Sequence, residues 1–310
     1  MNIKSLVLLL IILVPTLMNA QGRRWKRYRY EVFYGLGAAN LLGELGGADQ
    51  IGTDYIKDLE IKMTRPGIYL GMKYRTTQLT ALRLSLTAGF LKGDDQTTTN
   101  TYRHARNINF RSPIVEAALT YEVMFLKERS GHRYSLRGVR GIKRLELYPY
   151  LFFGVGGFWF NPQGQDLEGN WHGLRKLNTE GQGLVPTRKE YSPFQIAIPV
   201  GLGFRYAVDR RWLVGVEFGI RKTFTDYLDD VSKTYVSDRF LFGEQASYFS
   251  NPSIIEGLPP ELITPNNKYL GALPGQQRGD PTDKDSYMFL TLSVSYKLKA
   301  SRSGLPKFGR

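Results

Sequence analysis

Histidine is the usual general base near neutral pH, and the chain carries three, His104, His132 and His172. Each falls between the stretches of alternating apolar residues, and none stands beside a serine or an acidic partner at a strand position. A Ser-His-Asp arrangement needs direct hydrogen-bond reach, so hydrolysis would require a loop histidine to fold back. Cysteine is absent, which removes a thiolate nucleophile and any disulfide. Asp226, Asp229 and Asp230 could offer oxygen ligands to calcium, but the segment lacks the glycine and alternating acids of a calcium loop. A hydrogen-bonded turn accounts for the same residues. Gly154, Gly156 and Gly157 suggest a phosphate loop, yet no helix follows them. The expectation is no catalytic residue, no cofactor and no metal site.

A different chemistry is concentrated in residues 127–144. Lys127, Arg129, Arg133, Arg137, Arg140, Lys143 and Arg144 stand there against Glu128 alone. A solvated basic loop is one reading. Docking onto an acidic partner or onto lipid head groups is the sharper one, and it makes Arg129, Arg133, Arg137, Arg140, Lys143 and Arg144 the expected partner-binding residues. The tail adds Lys299, Arg302, Lys307 and Arg310. Over the whole chain 42 Lys and Arg face 28 Asp and Glu, a net charge of +14. In a cytosolic protein that excess would suggest nucleic acid. Export turns the expectation to outer-membrane lipid and an acidic protein.

The first twenty residues have the form of a secretory signal: Lys4, then a wholly apolar run from Leu6 to Val14, then Met18-Asn19-Ala20 before Gln21. The run is too short to cross a bilayer as a helix, and no cysteine follows the cut to carry a lipid anchor. The expected organisation is a signal peptide over 1–20, a barrel over 21–298 and a basic periplasmic tail over 299–310.

Period two dominates that middle region. In the hairpin from Phe194 to Lys222, Ile196, Ile198, Val200, Leu202 and Phe204 alternate with Gln195, Ala197, Gly201, Gly203 and Arg205. After Asp209-Arg210-Arg211, Val214, Val216, Phe218 and Ile220 alternate with Gly215, Glu217, Gly219 and Arg221. One face is apolar and the other carries glycine and charge. Strands of about ten residues cross a bilayer at a tilt. Eight such strands are read, at 28–38, 64–74, 81–91, 113–125, 145–160, the hairpin and 286–298. The fold class is therefore all-β, an eight-stranded antiparallel transmembrane barrel of the outer membrane with both termini periplasmic.

Connections 40–63, 92–112, 161–191 and 222–285 are long and those on the other side short, except 127–144. Long outer loops and short periplasmic turns are the expected asymmetry. Trp25, Tyr28, Tyr74, Tyr206, Trp212 and Tyr296 gather at the periplasmic boundary as an aromatic girdle. Arg29, Glu31, Lys73, Arg83, Glu116, Glu122, Arg205, Glu217 and Arg221 point inward, where an eight-stranded barrel has room for side chains but no channel. They should form ion pairs. Strand five is apolar on both faces, which leaves its register open. Pro199 cannot donate to a ladder and is read as a bulge turned toward the lumen.

Several segments together resemble PorG-like outer-membrane barrels of the type IX secretion and gliding machinery. They are Leu42-Gly43-Glu44-Leu45-Gly46-Gly47, Phe160-Asn161-Pro162, Thr179-Glu180-Gly181-Gln182-Gly183-Leu184 and Ile198-Pro199-Val200-Gly201-Leu202-Gly203. The most specific are Arg221-Lys222-Thr223-Phe224-Thr225-Asp226-Tyr227-Leu228-Asp229-Asp230-Val231-Ser232 and Gln277-Arg278-Gly279. The resemblance implies a non-enzymatic barrel that anchors a periplasmic ring, built from a lipoprotein and its ring partner, to the outer membrane. Residues 127–144 and the tail after Leu298 are longer than the pattern. A passive barrel or adhesin binding external ligands through its loops is the alternative.

Overall fold

The structure is a computed structural model that describes residues 25–43, 45, 63–98, 100–128, 147–282, 284–301 and 305–307. The expected signal peptide, His132 and the partner-binding set Arg129, Arg133, Arg137, Arg140, Lys143 and Arg144 lie outside the described residues. The long strands are β1 (Tyr30–Leu42), β2 (Arg65–Arg75), β3 (Thr80–Asp94), β4 (Asn109–Met124) and β5 (Leu147–Phe160). Two three-residue strands follow, β6 (Gln163–Gln165) and β7 (Trp171–Gly173). Then come β8 (Phe194–Ala207), β9 (Trp212–Thr223), β10 (Ser286–Ala300) and the short β11 (Pro306–Lys307).

The eight long strands pair antiparallel in the order β3-β2-β1-β10-β9-β8-β5-β4, and β3 also pairs with β4. The sheet therefore closes on itself, and the seam joins β1 to β10 along its whole length, from Tyr30↔Leu298 to Leu42↔Ser286. This is a closed eight-stranded antiparallel β-barrel. Several strands run past the expected ends on the long-loop side: β1 reaches Leu42, β3 reaches Asp94 and β4 begins at Asn109.

Burial follows the alternation and inverts the rule for soluble proteins. Leu36 is 71 % exposed, Leu292 57 % and Ile196 56 %, whereas Glu116 and Glu122 inside are 0 %. Every neighbouring strand is paired, so no row of backbone donors faces outward. A wall that is greasy outside and satisfied in its backbone is built for hydrocarbon. No helix among the described residues is long and apolar enough to cross a membrane, and the crossing is made by strands.

β5 settles its register with Tyr148, Tyr150, Phe152, Phe158 and Phe160 inward and Leu147, Leu151, Phe153 and Val155 outward. Gly154 is required there: a Cβ would lie 2.1 Å from the Leu119 carbonyl oxygen, so only glycine lets β5 approach β4. Pro199 is buried toward the lumen as expected, but it makes no bulge. The register between β5 and β8 is the same at Phe153↔Val200 and at Gly156↔Ala197, and the ladder merely skips the positions between. A missing N–H interrupts pairing without adding a residue. Met288 shares the outward parity of the exposed Leu290 and Leu292 and yet is buried. It pairs with Asn40, itself buried, whose Nδ2 donates to Thr64 Oγ1 at 3.2 Å where the wall rises toward the loops.

The long connections on one side form an ordered cap. Helix Thr101–Arg106 starts at Asn100, whose side chain accepts from the Tyr102 and Arg103 amides, and ends at Asn107 in the left-handed region. A second helix, Gly243–Ser250, lies in the longest connection. Leu45, Leu91, Phe110, Phe160, Leu228, Phe249 and Phe289 share one apolar cluster, which joins the long-loop end of the lumen to these loops.

Candidate functional site

Two constellations of charge are enclosed by the fold. The first fills the lumen. Strand parity points Glu31, Lys73, Arg83, Glu122, Arg205 and Glu217 inward, where each is at most 4 % exposed. Lys73 Nζ lies 2.9 Å from Glu122, and Arg83 Nη1 lies 3.0 Å from the same carboxylate. Arg83 also pairs with Glu217, and Arg205 with Glu122. Tyr150 donates to Glu217 at 2.8 Å, and Arg83 Nε to Thr120 Oγ1 at 2.9 Å. Aromatic faces flank the cations, with Arg205 4.2 Å from the Tyr150 ring and Arg83 4.5 Å from Phe152. Farther out, Arg221 faces Glu116 at 3.3 Å, and Tyr287 donates to Glu116 at 2.7 Å. Alternating charges and rings thus occupy the interior, leaving the wall of an eight-stranded barrel braced rather than open.

The expected inward set is met with one correction and three additions. Arg29 precedes β1 and leaves the lumen, donating to the Tyr74 hydroxyl at 3.0 Å with its guanidinium 4.9 Å from the Trp25 ring. At that rim Arg211 donates to Tyr296 at 2.8 Å, and Trp212 packs on Tyr296 at 4.8 Å, so the expected girdle carries arginines among its rings. Arg75, Lys297 and Glu128 join the interior. Glu128, the one acid of the basic connection, pairs with both Arg75 and Lys297 and pins the start of that connection under the lumen.

The second constellation lies in the cap. Arg278 Nη1 is 3.0 Å from Glu180 and donates to the Asp230 carbonyl at 2.6 Å. Glu180 also accepts from the Ser232 amide at 2.9 Å. Asp230 accepts from Thr179 at 2.5 Å and from Tyr191 at 2.6 Å, and Asp226 from Ser232 at 2.6 Å. Beside it Arg106 grips Asp95 at 2.7 and 2.9 Å and donates to the Arg278 carbonyl at 2.9 Å. Burial raises the Asp226 and Asp230 carboxyls to about 6; the Ser232 hydroxyl opposes the rise at Asp226, and the Arg278 charge followed by the Thr179 and Tyr191 hydroxyls opposes it at Asp230. Of the aspartates considered for calcium, Asp226 and Asp230 bind protein hydroxyls and Asp229 Oδ1 accepts from the Val231 amide at 3.0 Å; no group of metal-ligating side chains occurs among the described residues. Three motif segments far apart in sequence, 179–184, 225–232 and 277–279, therefore meet in one buried cluster. Their convergence is not legible in the sequence, because nothing local signals a partner about a hundred residues away.

Of the histidines, His172 does gain an acidic partner, which the sequence did not indicate. Its Nε2 lies 2.7 Å from Asp166, and this bond holds the Asp166 carboxyl below its ordinary range. Its Nδ1 lies 2.7 Å from Gln245 Nε2, so both ring nitrogens are engaged and none is left to draw a proton from a nucleophile. His104 sits on helix Thr101–Arg106, its amide bonded to the Asn100 carbonyl.

Comparison with known proteins then places the chain. The family described as Domain of unknown function (DUF6089) matches residues 3–247, most of the 310. The chain belongs to DUF6089. No curated protein matches it. Among solved structures, this DUF6089 chain is similar to OprG, an outer membrane protein from Pseudomonas aeruginosa, at 10 % identity and a TM-score of 0.39, over 89 % of this chain and 99 % of that one. It is similar to Neisserial surface protein A at 11 % identity and a TM-score of 0.38, over 86 % and 96 %. The attachment invasion locus protein Ail of Yersinia pestis, in complex with the heparin analogue sucrose octasulfate, matches at 8 % identity and a TM-score of 0.36, over 87 % and 99 %. The closed wall, apolar belt and ringed boundary of the DUF6089 chain are those of an outer-membrane β-barrel.

Proposed function

We propose that the protein is a non-enzymatic anchor of the type IX secretion machinery, holding the periplasmic ring, a lipoprotein and its ring partner, against the outer membrane. The reading starts from the resemblance to PorG-like barrels. What supports it most is that the motifs carrying the resemblance meet in one buried cluster around Arg278 and Glu180, which is how a shared architecture uses residues distant in sequence. A braced lumen suits an anchor rather than a conduit. The Glu128 clasp with Arg75 and Lys297 closes the lumen on the side of the short turns, and the basic residues follow Glu128 directly in sequence.

Deleting the gene and assaying secreted proteins tests the role; unchanged secretion overturns it. Pull-down from membranes tests the surface. Reversing the charge at Arg133, Arg137 and Arg140 is expected to lower recovery of the periplasmic subunits while the barrel still inserts.

A second reading is a barrel that binds external ligands through its cap. A groove of about 240 Å³ there, lined by Tyr102, Arg103, Tyr235, Tyr269 and Asp280, favours it. Shortening the 224–285 connection would then abolish surface binding and leave secretion intact.

A further inference from the structure

The outer wall is not uniformly convex. Register places Leu86, Ala117, Gly157 and Ile196 in one row across β3, β4, β5 and β8. The sequence of sizes along that row is large, small, small, large. The next row toward the cap is Ala88, Val115, Trp159 and Phe194, and Phe224 hangs from the end of β9 beside it. A cavity of about 650 Å³ opens where the two small residues meet, with Trp159, Phe194 and Phe224 among its lining. Phe194 is 70 % exposed and Phe224 62 %. Aromatic rings settle at head-group depth, so the notch lies just inside the outer leaflet.

The same ladder carries charge above it. Beyond Phe90↔Pro113 the next outward pair between β3 and β4 is Lys92↔Arg111. Arg111 is held in place by the neutral Gln163, at 2.9 Å from Nε, and by the Trp171 face at 4.1 Å. Lys92 lies 4.0 Å from Asp94. Arg111 is four residues, roughly 13 Å, along β4 from Val115. Two preplaced cations at the rim over an apolar slot match an anionic head above an acyl chain.

We propose that this notch is a binding site for one phosphorylated, acylated glycolipid of the outer leaflet, its acyl chain lying along Gly157 and Ala117 and its phosphate meeting Lys92 and Arg111. The inference rests on the wall facing lipid and is independent of any secretion role. Filling the slot tests it, because a Cβ at Gly157 meets no atom within 4 Å, and Gly157→Leu is expected to insert as wild type does.

The full-length protein, released from membranes in mild detergent, is examined by native mass spectrometry, with gel mobility reporting the folded barrel. Wild type is expected to retain one phosphorylated glycolipid. Gly157→Leu should lower its occupancy at least tenfold. Lys92→Gln with Arg111→Gln should lower it several-fold, and Leu292→Ala on the opposite wall should leave it unchanged. Should Gly157→Leu fail to fold, the Lys92/Arg111 variant decides on the same reading. The proposal is overturned if phospholipid alone is retained, if filling the notch or removing both cations leaves occupancy unchanged, or if Leu292→Ala lowers it equally.

Discussion

Arg278 shows what a single side chain does in the cap. Its guanidinium bridges Glu180, the Asp230 carbonyl and, at 3.3 Å, the Phe249 carbonyl, so it ties three connected stretches to one point. Removing one partner of a buried pair costs about 3–5 kcal/mol, since the other charge stays buried and uncompensated. Arg278→Ala is expected to loosen the cap by that order while the wall persists. Limited proteolysis on intact cells, with gel mobility reporting the barrel, would show loop cleavage without loss of the folded band. Arg278→Lys should rescue poorly, because one ammonium cannot reach partners set in a planar fork. Asp226 and Asp230 add a pH dependence. Their carboxyls sit at about 6 in the fold, above the ordinary value of 3.8, so the folded cap holds more protons than the unfolded one between those limits. Their contribution is fully present below about 3.8 and lost as pH rises through about 6. Hydrogen exchange in the cap should therefore quicken across that window, and Asp230→Asn should flatten the change.

Among the strands, β5 is the most demanding. Both its faces are apolar in sequence, so period two alone could not orient it, and only the closed sheet decides that Tyr150 and Phe152 turn inward to the arginines. Gly154 then becomes a steric necessity. Gly154→Ala is expected to push β5 from β4 and to cost about 1–3 kcal/mol as overpacking does; a lowered urea midpoint in vesicles would register it. The other strands were legible to within a few residues because each alternates cleanly between charge and aliphatic side chains. Pro199 misled for a simple reason. The sequence reveals that a donor is missing, but whether the ladder adds a residue or skips a bond depends on the neighbouring strand. The loops were the least legible part. Glu180 and Arg278 stand in segments that the sequence singles out, but nothing in either segment signals the other, and the clasp at Glu128 depends on Arg75 and Lys297 arriving from β2 and β10.

For the molecule as a whole, the interior decides transport. Glu122 alone faces Lys73, Arg83 and Arg205, so the lumen is a lattice of fixed charges. Purified protein in a planar bilayer should show no steady ionic current. Glu122→Gln, which leaves Lys73, Arg83 and Arg205 with only Glu31 and Glu217 to share, should give unstable folding before it gives a pore. Seen from outside, the belt must be matched by lipid thickness, and the arginines among the rim rings hold its lower edge at the head groups.

The seam between β1 and β10 carries a last implication. The first strand made at the ribosome finds its second neighbour only when the last has been synthesised, so the cylinder has no partial version. A product that stops before Ser286 is a curled ribbon with two bare margins, sticky toward any passing chain. Cells carrying an early stop codon in this gene should therefore accumulate clumped or degraded protein in the periplasm, never a smaller but working unit.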